Sequence, residues 1–404
     1  MNPLPKSLRD LGLAARQASD RQLMELVGMV DRLPARGAAD AVLQPVRARL
    51  KHLRPERPLT LARLLFLPLD AVLVGAQDWR PGQRQIPRTA IAPLIPALRA
   101  AEPLAFQAAE AALAGRSLRD GQLISELGAT LWAAGARGFP AQPPAGWGEA
   151  GLPATAFPPI AGICRQLWQH GSAIWTLRLA GGEGPPERAL RLAFHTVVPD
   201  GPAVVGLVLS ALLPHVTQPA QMAATVGGLH SSLSGIAEQV LDSYLVGIKP
   251  DLDRPDLAAV AEAAGRFVQV LEDLDRATSR DRPKRAQLLH SLRQAAADAC
   301  AGRLAAHVDA RLMQPLRRLV AAPRVSDTEV EQLESTAIAL QSIVQSGRGL
   351  RPGGGFDQAL APAIALLEGI LPSLPATPAR YAAADGLRLL EILAGSAMAA
   401  RNPR

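Results

Sequence analysis

The chain has 404 residues, 48% of them hydrophobic and only 3% aromatic, and a formal net charge of +7. That length and apolar content can bury a large core, and the length alone corresponds to about two to three domains. Two distant cysteines, Cys164 and Cys300, exclude a disulfide framework or a zinc knuckle, and few aromatics argue against large aromatic pockets. Residues 1–100 hold 16 Lys and Arg against 8 Asp and Glu, a local +8 that accounts for the basic balance of the whole chain. Such asymmetry bears on partners, not on fold.

The first helices are short. Ser19 followed by Gln22 has capping-box spacing and opens a helix through Val30. Pro34 ends that region, and a further helix is expected over about 38–53. On it Arg47, Lys51 and Arg54 fall at i, i+4 and i+7, one basic stripe about 100° from the apolar stripe Val46, Leu50 and Leu53. These three cations are candidates for an anion-binding face toward nucleic acid or an acidic membrane surface, although no aromatic side chains interleave them as single-strand binders require.

Thr60 is placed to cap a segment apolar on nearly all sides, Leu61 to Leu67, which Pro68 interrupts before Leu69 to Val74 continue it. Residues 75–88 read as a loop. With Asp78, Trp79, Arg80, Arg84 and Arg88 it has the composition of an interface hot spot, and these five are the candidate partner-binding residues. Thr89 is expected to cap the next helix, to about Arg99. Helices over 103–114 and from Ser117 to about Ala136 follow.

Residues 138–159 (GFPAQPPAGWGEAGLPATAFPP) are too rich in Pro and Gly for regular structure. They read as a linker between a basic N-terminal helical domain, 1–137, and a C-terminal helical domain, 160–404, with Trp147 and Phe157 pinning the linker to a helix. Beyond it the pattern predicts helices at about 160–179, 187–198, 203–213 and 220–248, then longer ones over 255–278 and 283–321. Ser326 with Glu329 makes a second capping box, for a helix to about Ser346. Residues 347–355 read as a loop, and helices at about 356–371 and 378–400 end the chain. The apolar run 202–214 is too short to span a bilayer, and residues 1–20 lack the apolar core of a signal peptide.

The expected fold is therefore all-α: an irregular helical array, with solenoid-like hairpin pairing as an alternative, followed by a long-helix antiparallel bundle. Motifs for chemistry are absent: no GxxxxGK[ST], HExxH, GxSxG or CxxC occurs. Asp251, Asp253, Asp256 and Glu262 mimic part of a calcium loop, but Asp256 stands where the turn needs Gly. Gly347, Gly349 and Gly353 lack phosphate-loop spacing, and the seven histidines form no i, i+4 pair. No cofactor and no metal are expected. The sequence reads as a cytoplasmic, non-enzymatic scaffold or adaptor binding other proteins, with a polyanion-binding regulator as the alternative.

Overall fold

The computed structural model describes residues 58–113, 116–179, 185–375 and 381–394, apart from 119, 255, 279–281, 323 and 353, together with five positions between 22 and 29. The chain divides into two compact units, one of residues 1–59 with 115–120 and the other of 60–114 with 121–404. In the first, Pro58 bridges Ser117, and the Leu59 amide donates to the Arg116 carbonyl at 2.8 Å. The basic stripe Arg47, Lys51 and Arg54 lies outside the described residues. The second unit is all-α, and its only described strands are two residues long.

It opens with α1 (Leu61–Phe66), whose N-terminus is capped as the sequence predicts: Thr60 Oγ1 accepts from the Arg63 amide at 3.3 Å. Pro68 then stops the α-helix, and Leu67–Val72 continue as a 3₁₀ turn. The proline nitrogen carries no hydrogen, so it can serve neither the Leu64 carbonyl four residues back nor the Leu65 carbonyl three back. Both leucines are fully buried. Later helices fill the deficit. The Trp132 indole of α4 (Gly121–Arg137) donates to Leu64 O at 2.8 Å, beside the Leu67 amide that also reaches it. The Trp168 indole of α5 (Phe157–Gln169) donates to Leu65 O at 2.7 Å. Arg178 of α6 (Gly171–Leu179) donates to Leu67 O at 2.7 Å. One kinked segment is thus the hub on which three helices are hung.

Between α1 and α4 come α2 (Ile91–Ala101) and α3 (Pro103–Leu113), of which α3 packs against α1 and α4. Thr89 does not cap α2; it sits inside a 3₁₀ turn, Arg88–Ala90, that leads directly into the helix. Residues 138–153 are irregular, as their Pro and Gly require, 154–156 form a 3₁₀ turn and 157–159 are already the first turn of α5; the stretch runs inside the second unit rather than between units. Phe139, Trp147, Leu152 and Phe157 are buried, with Trp147 edge-on to Phe157 at 5.1 Å. Enough apolar surface is spaced along this stretch to hold an irregular backbone down.

Three predicted helices are interrupted, the first two of them at His170 and Gly228. The 160–179 segment turns at His170, which is buried and meets Asp200 through Nε2 at 2.8 Å. Gly171 follows because a Cβ there would lie 2.9 Å from the Trp132 ring. The 220–248 segment divides into α9 (Pro219–Gly227) and α10 (Ser234–Gly247), after α7 (Glu187–His195) and the nearly all-buried α8 (Pro202–Leu212). The Gly227-Gly228 pair ends α9, and Gly227 lies so close to α10 that a Cβ would stand 3.4 Å from that of Ala237.

Beyond these, α11 (Leu257–Arg276) is started by Asp256, whose carboxylate accepts from the amides of Ala258 and Ala259. Its apolar positions 257, 260, 261, 264, 267, 271 and 274 form one buried stripe. Asp273 on α11 is buried, and burial raises its pKa although the amides of Ala220 and Gln221 at the start of α9 donate to it. The predicted helix 283–321 is α12 (Pro283–His307), a π-helical turn at Val308–Met313 and α13 (Gln314–Ala321). Pro315 explains the interruption: its ring crowds the Arg311 carbonyl and it offers no amide to that carbonyl. α14 (Asp327–Leu350) carries both arms of the Ser326/Glu329 capping box and packs against α11 and α12. It continues through Gly347 and Gly349, so this glycine run is helix rather than loop. Gly347 is required there because a Cβ would stand 2.3 Å from the Phe356 ring. α15 (Ala361–Ile370) and α16 (Ala383–Ala394) complete the described fold.

Candidate functional site

The loop after the hub is closed at its neck. Leu73–Val74 (β1) and Ile86–Pro87 (β2) pair in parallel, Leu73 opposite Ile86 and Val74 opposite Pro87, which pinches residues 75–85 into a compact surface loop. Gly75 O accepts from the amides of Asp78 and Trp79, and Gly82 supplies the positive φ, 83°, that the tip requires.

Of the predicted partner-binding residues, Asp78, Arg80, Arg84 and Arg88 are exposed and Trp79 is half-buried. Arg80 folds back to donate to the carbonyls of Gln77 and Trp79 at 2.8 and 2.9 Å, so it stiffens the loop. Arg88 lies at the neck, 3.8 Å from Asp70. Arg84 has no ion-pair partner among the described residues. The indoles separate sharply. Those of Trp132, Trp147, Trp168 and Trp175 each donate to an internal acceptor, at 2.7–3.2 Å. The Trp79 indole N–H donates to none of the described residues, and it is the only half-exposed indole of the five.

Gln83, Arg84 and Gln85, on the descending limb of the loop, form one wall of a groove of about 1130 Å³. The opposite walls come from α10, α11 and the connection between them. Val240, Phe267 and Val270 provide a buried apolar floor, and Val246, 76% exposed, an apolar lip. The rim is cationic: Arg84, Lys249, Arg254 and Arg266 face it against Asp251 alone. Asp251 is already engaged by Arg254, Nε to Oδ2 at 2.9 Å, and Arg266 stands 3.9 Å from Glu262. Lys249, like Arg84, has no ion-pair partner among the described residues.

Two polar atoms in the groove's lining residues are buried and unpartnered: Gln85 Oε1 and His215 Nε2. Burial, with the Arg178 guanidinium adding to it and Asp70 opposing, pushes the His215 pKa down to about 4, so the ring is neutral at pH 7. Sequence reasoning did not single out Gln85, His215 or the groove. The residues of the groove come from segments well over a hundred positions apart, and only the fold brings them together.

The calcium-like run is used otherwise. Asp256 caps α11, Asp251 pairs with Arg254, and Asp253 pairs with Arg303 of α12. Among the described residues no three His, Cys, Asp or Glu converge as metal ligands, and no helix is long and apolar enough to cross a membrane. Comparison with known proteins adds nothing: no protein-family model, curated protein or solved structure matches the chain.

Proposed function

We propose that this chain is a non-enzymatic docking protein, acting in the cytoplasm, that holds a segment of a partner protein against loop 75–88 and the adjoining groove. The observation that carries the reading is Trp79. In a chain that spends four of its five indole N–H groups on internal acceptors, the fifth sits half-exposed on a stiffened loop that also carries Arg80 and Arg84, with its donor unused. Aromatic and Arg side chains held at low conformational cost are what protein interfaces draw on for affinity. The groove walled by residues 83–85 of the same loop offers apolar area and unpaired positive charge, which suits an acidic amphipathic segment.

The test is Trp79→Ala in the full chain, read by partner capture from native lysate with quantification by mass spectrometry, alongside a melting curve. Capture is expected to weaken by about 2 kcal/mol or more, roughly 30-fold, with the melting midpoint nearly unchanged. If Trp79 is instead a packing anchor, the same change lowers stability by about 3–5 kcal/mol and leaves capture intact; that result refutes the reading.

A further inference from the structure

The three arginines that line the groove differ in what holds them. Arg254 is engaged by Asp251, and Arg266 stands 3.9 Å from Glu262. Arg84 makes neither an ion pair nor a hydrogen bond with a described residue, yet its guanidinium has a definite place. Gly206 of α8 is buried, and the point where a Cβ would stand on it lies 3.2 Å from Arg84 Nη1, 2.7 Å from Ile236 Cγ2 and 3.5 Å from Val240 Cγ2. The loop arginine thus reaches α8 where that helix meets α10, and a side chain at position 206 would crowd it. The seat is apolar. Ile236 and Val240 offer no acceptor side chain, and the Gly206 carbonyl already accepts from Ser210 Oγ at 2.7 Å. A guanidinium is weakly hydrated and tolerates such a seat, keeping its other N–H groups for an acceptor. Arg84 as a whole is exposed, so a guest in the groove can reach it.

We propose that Arg84 is the anchor of this groove: it takes one side-chain carboxylate of the acidic segment docked there, and an apolar residue next to that carboxylate covers Val240. The proposal deepens the docking function above and rests on it. A carboxylate offers two oxygens to the parallel N–H groups of a guanidinium, and it carries the single negative charge that Arg84 leaves unmatched. A phosphate dianion would call for a second unpaired cation at the seat, where Ile236 and Val240 stand instead. A neutral amide would leave the charge uncompensated. The apolar neighbour follows from the same geometry, since Val240 Cγ2 and the guanidinium flank one point and Val240 also lines the groove. Lys249 and Arg266 attract acidic residues at any register of the guest. Arg84 fixes the register, because a seated guanidinium makes a directional, two-pronged contact and a flexible ammonium does not.

The experiment selects random peptides displayed on phage against the full-length protein and titrates the best of them against Arg84→Gln, Arg84→Lys and Gly206→Ala. The wild type is expected to enrich acidic peptides with Asp or Glu at one fixed position and an apolar residue beside it. Affinity for the best peptide should fall about 10-fold or more in Arg84→Gln. It should fall by the same factor in the wild type when the fixed acid is changed to its amide, and the two changes together should cost no more than either alone. Arg84→Lys keeps the charge without the fork, so its affinity should lie between those of wild type and Arg84→Gln. Gly206→Ala should weaken the same contact and leave the amide peptide unaffected. The Arg84 variants should melt with the wild type, since this side chain bonds no described residue, so they decide the question even if Gly206→Ala disturbs folding. Acidic enrichment with no fixed acid, a fixed acid whose contribution survives Arg84→Gln, full affinity in Arg84→Lys, or tighter binding with phosphoserine at the fixed position overturns the anchor and leaves the docking reading standing. No acidic enrichment, or enrichment that survives in the Arg84→Glu/Lys249→Glu/Arg266→Glu variant, overturns docking in this groove and the anchor with it.

Discussion

Replacing Trp168 by Phe isolates one hydrogen bond at the hub. Phenylalanine keeps an aromatic ring near Phe66 and Phe139, whose centroids lie 5.5 and 5.9 Å from that of Trp168. The indole N–H is lost, and with it the 2.7 Å bond to Leu65 O. Pro68 cannot replace it, and Leu65 is fully buried, so solvent does not reach the carbonyl in the folded state. An orphaned buried acceptor costs about 1–3 kcal/mol, and trimming the ring adds about 1 kcal/mol of lost packing, for a total of about 2–4 kcal/mol. Trp132→Phe should cost less, because Leu64 O keeps its bond from the Leu67 amide. Chemical denaturation followed by far-ultraviolet circular dichroism measures both. A double-mutant cycle with Pro68→Ala tests the cause. Alanine restores an amide at position 68, within reach of the Leu65 carbonyl, so Trp168→Phe should cost about 1 kcal/mol less in that background. If the two changes are additive, or Trp168→Phe lies within about 0.5 kcal/mol of wild type, the proline deficit does not explain why these indoles point where they do.

Three further outcomes follow from other parts of the chain. The folded protein keeps His215 neutral down to about pH 4, while the unfolded chain takes up that proton at the ordinary value near 6.5. Stability should therefore fall by about 2–3 kcal/mol as pH drops from 6.5 to 4, with no contribution above 6.5, and His215→Phe should flatten that slope; equal slopes in the two proteins would exclude His215 as its source. Arg285 has a side chain only 4% exposed and pairs with Glu238 at 2.8 Å and with Asp242, tying α12 to α10. Both carboxylates are partly exposed and can rehydrate, so Arg285→Met should cost about 1–3 kcal/mol in denaturation rather than the larger figure for a stranded buried charge. If Arg47, Lys51 and Arg54 form a polyanion-binding stripe, heparin affinity should fall steeply with salt, and reversing all three charges should abolish it without moving the melting midpoint; binding unchanged by the reversal would remove that role.

Local signals in the sequence carried further than long-range ones, although Thr89 failed as a cap. Thr60, Asp256 and Ser326 stand at helix starts because capping is decided within three or four residues, and the apolar stripes of the long helices follow from the helical period alone. The breaks were harder. His170, Gly228 and Pro315 interrupt segments whose apolar pattern is continuous, and two of the three interruptions go with close packing that periodicity does not show: the Trp132 ring behind Gly171, and α10 behind Gly227. In the other direction, Gly347 looked like a loop residue and is helical because Phe356 occupies the place of its side chain. Composition therefore misleads wherever a glycine makes room for an aromatic rather than for a turn. The stretch 138–159 shows the same effect on a larger scale: proline and glycine decide that most of its backbone is irregular, but five buried apolar residues decide where it lies.

The site divides along the same line. Loop 75–88 was visible because its composition is local, and the neck that closes it needs only two residue pairs. The groove was not, because its lining comes from segments far apart in the chain. An unused acceptor on Gln85 and an unused nitrogen on His215 leave no trace in a sequence, where every Gln and His looks equally able to find a partner. They become informative only after the fold has satisfied the other buried polar groups around them. The hub shows how thoroughly that is done here: the Leu64 and Leu65 carbonyls, which a proline cannot serve, are met by two indoles from other helices, and Leu67 O by an arginine. Against such a background the Trp79 indole, whose N–H meets no acceptor among the described residues, stands apart from the other four, each of which is spent inside the fold.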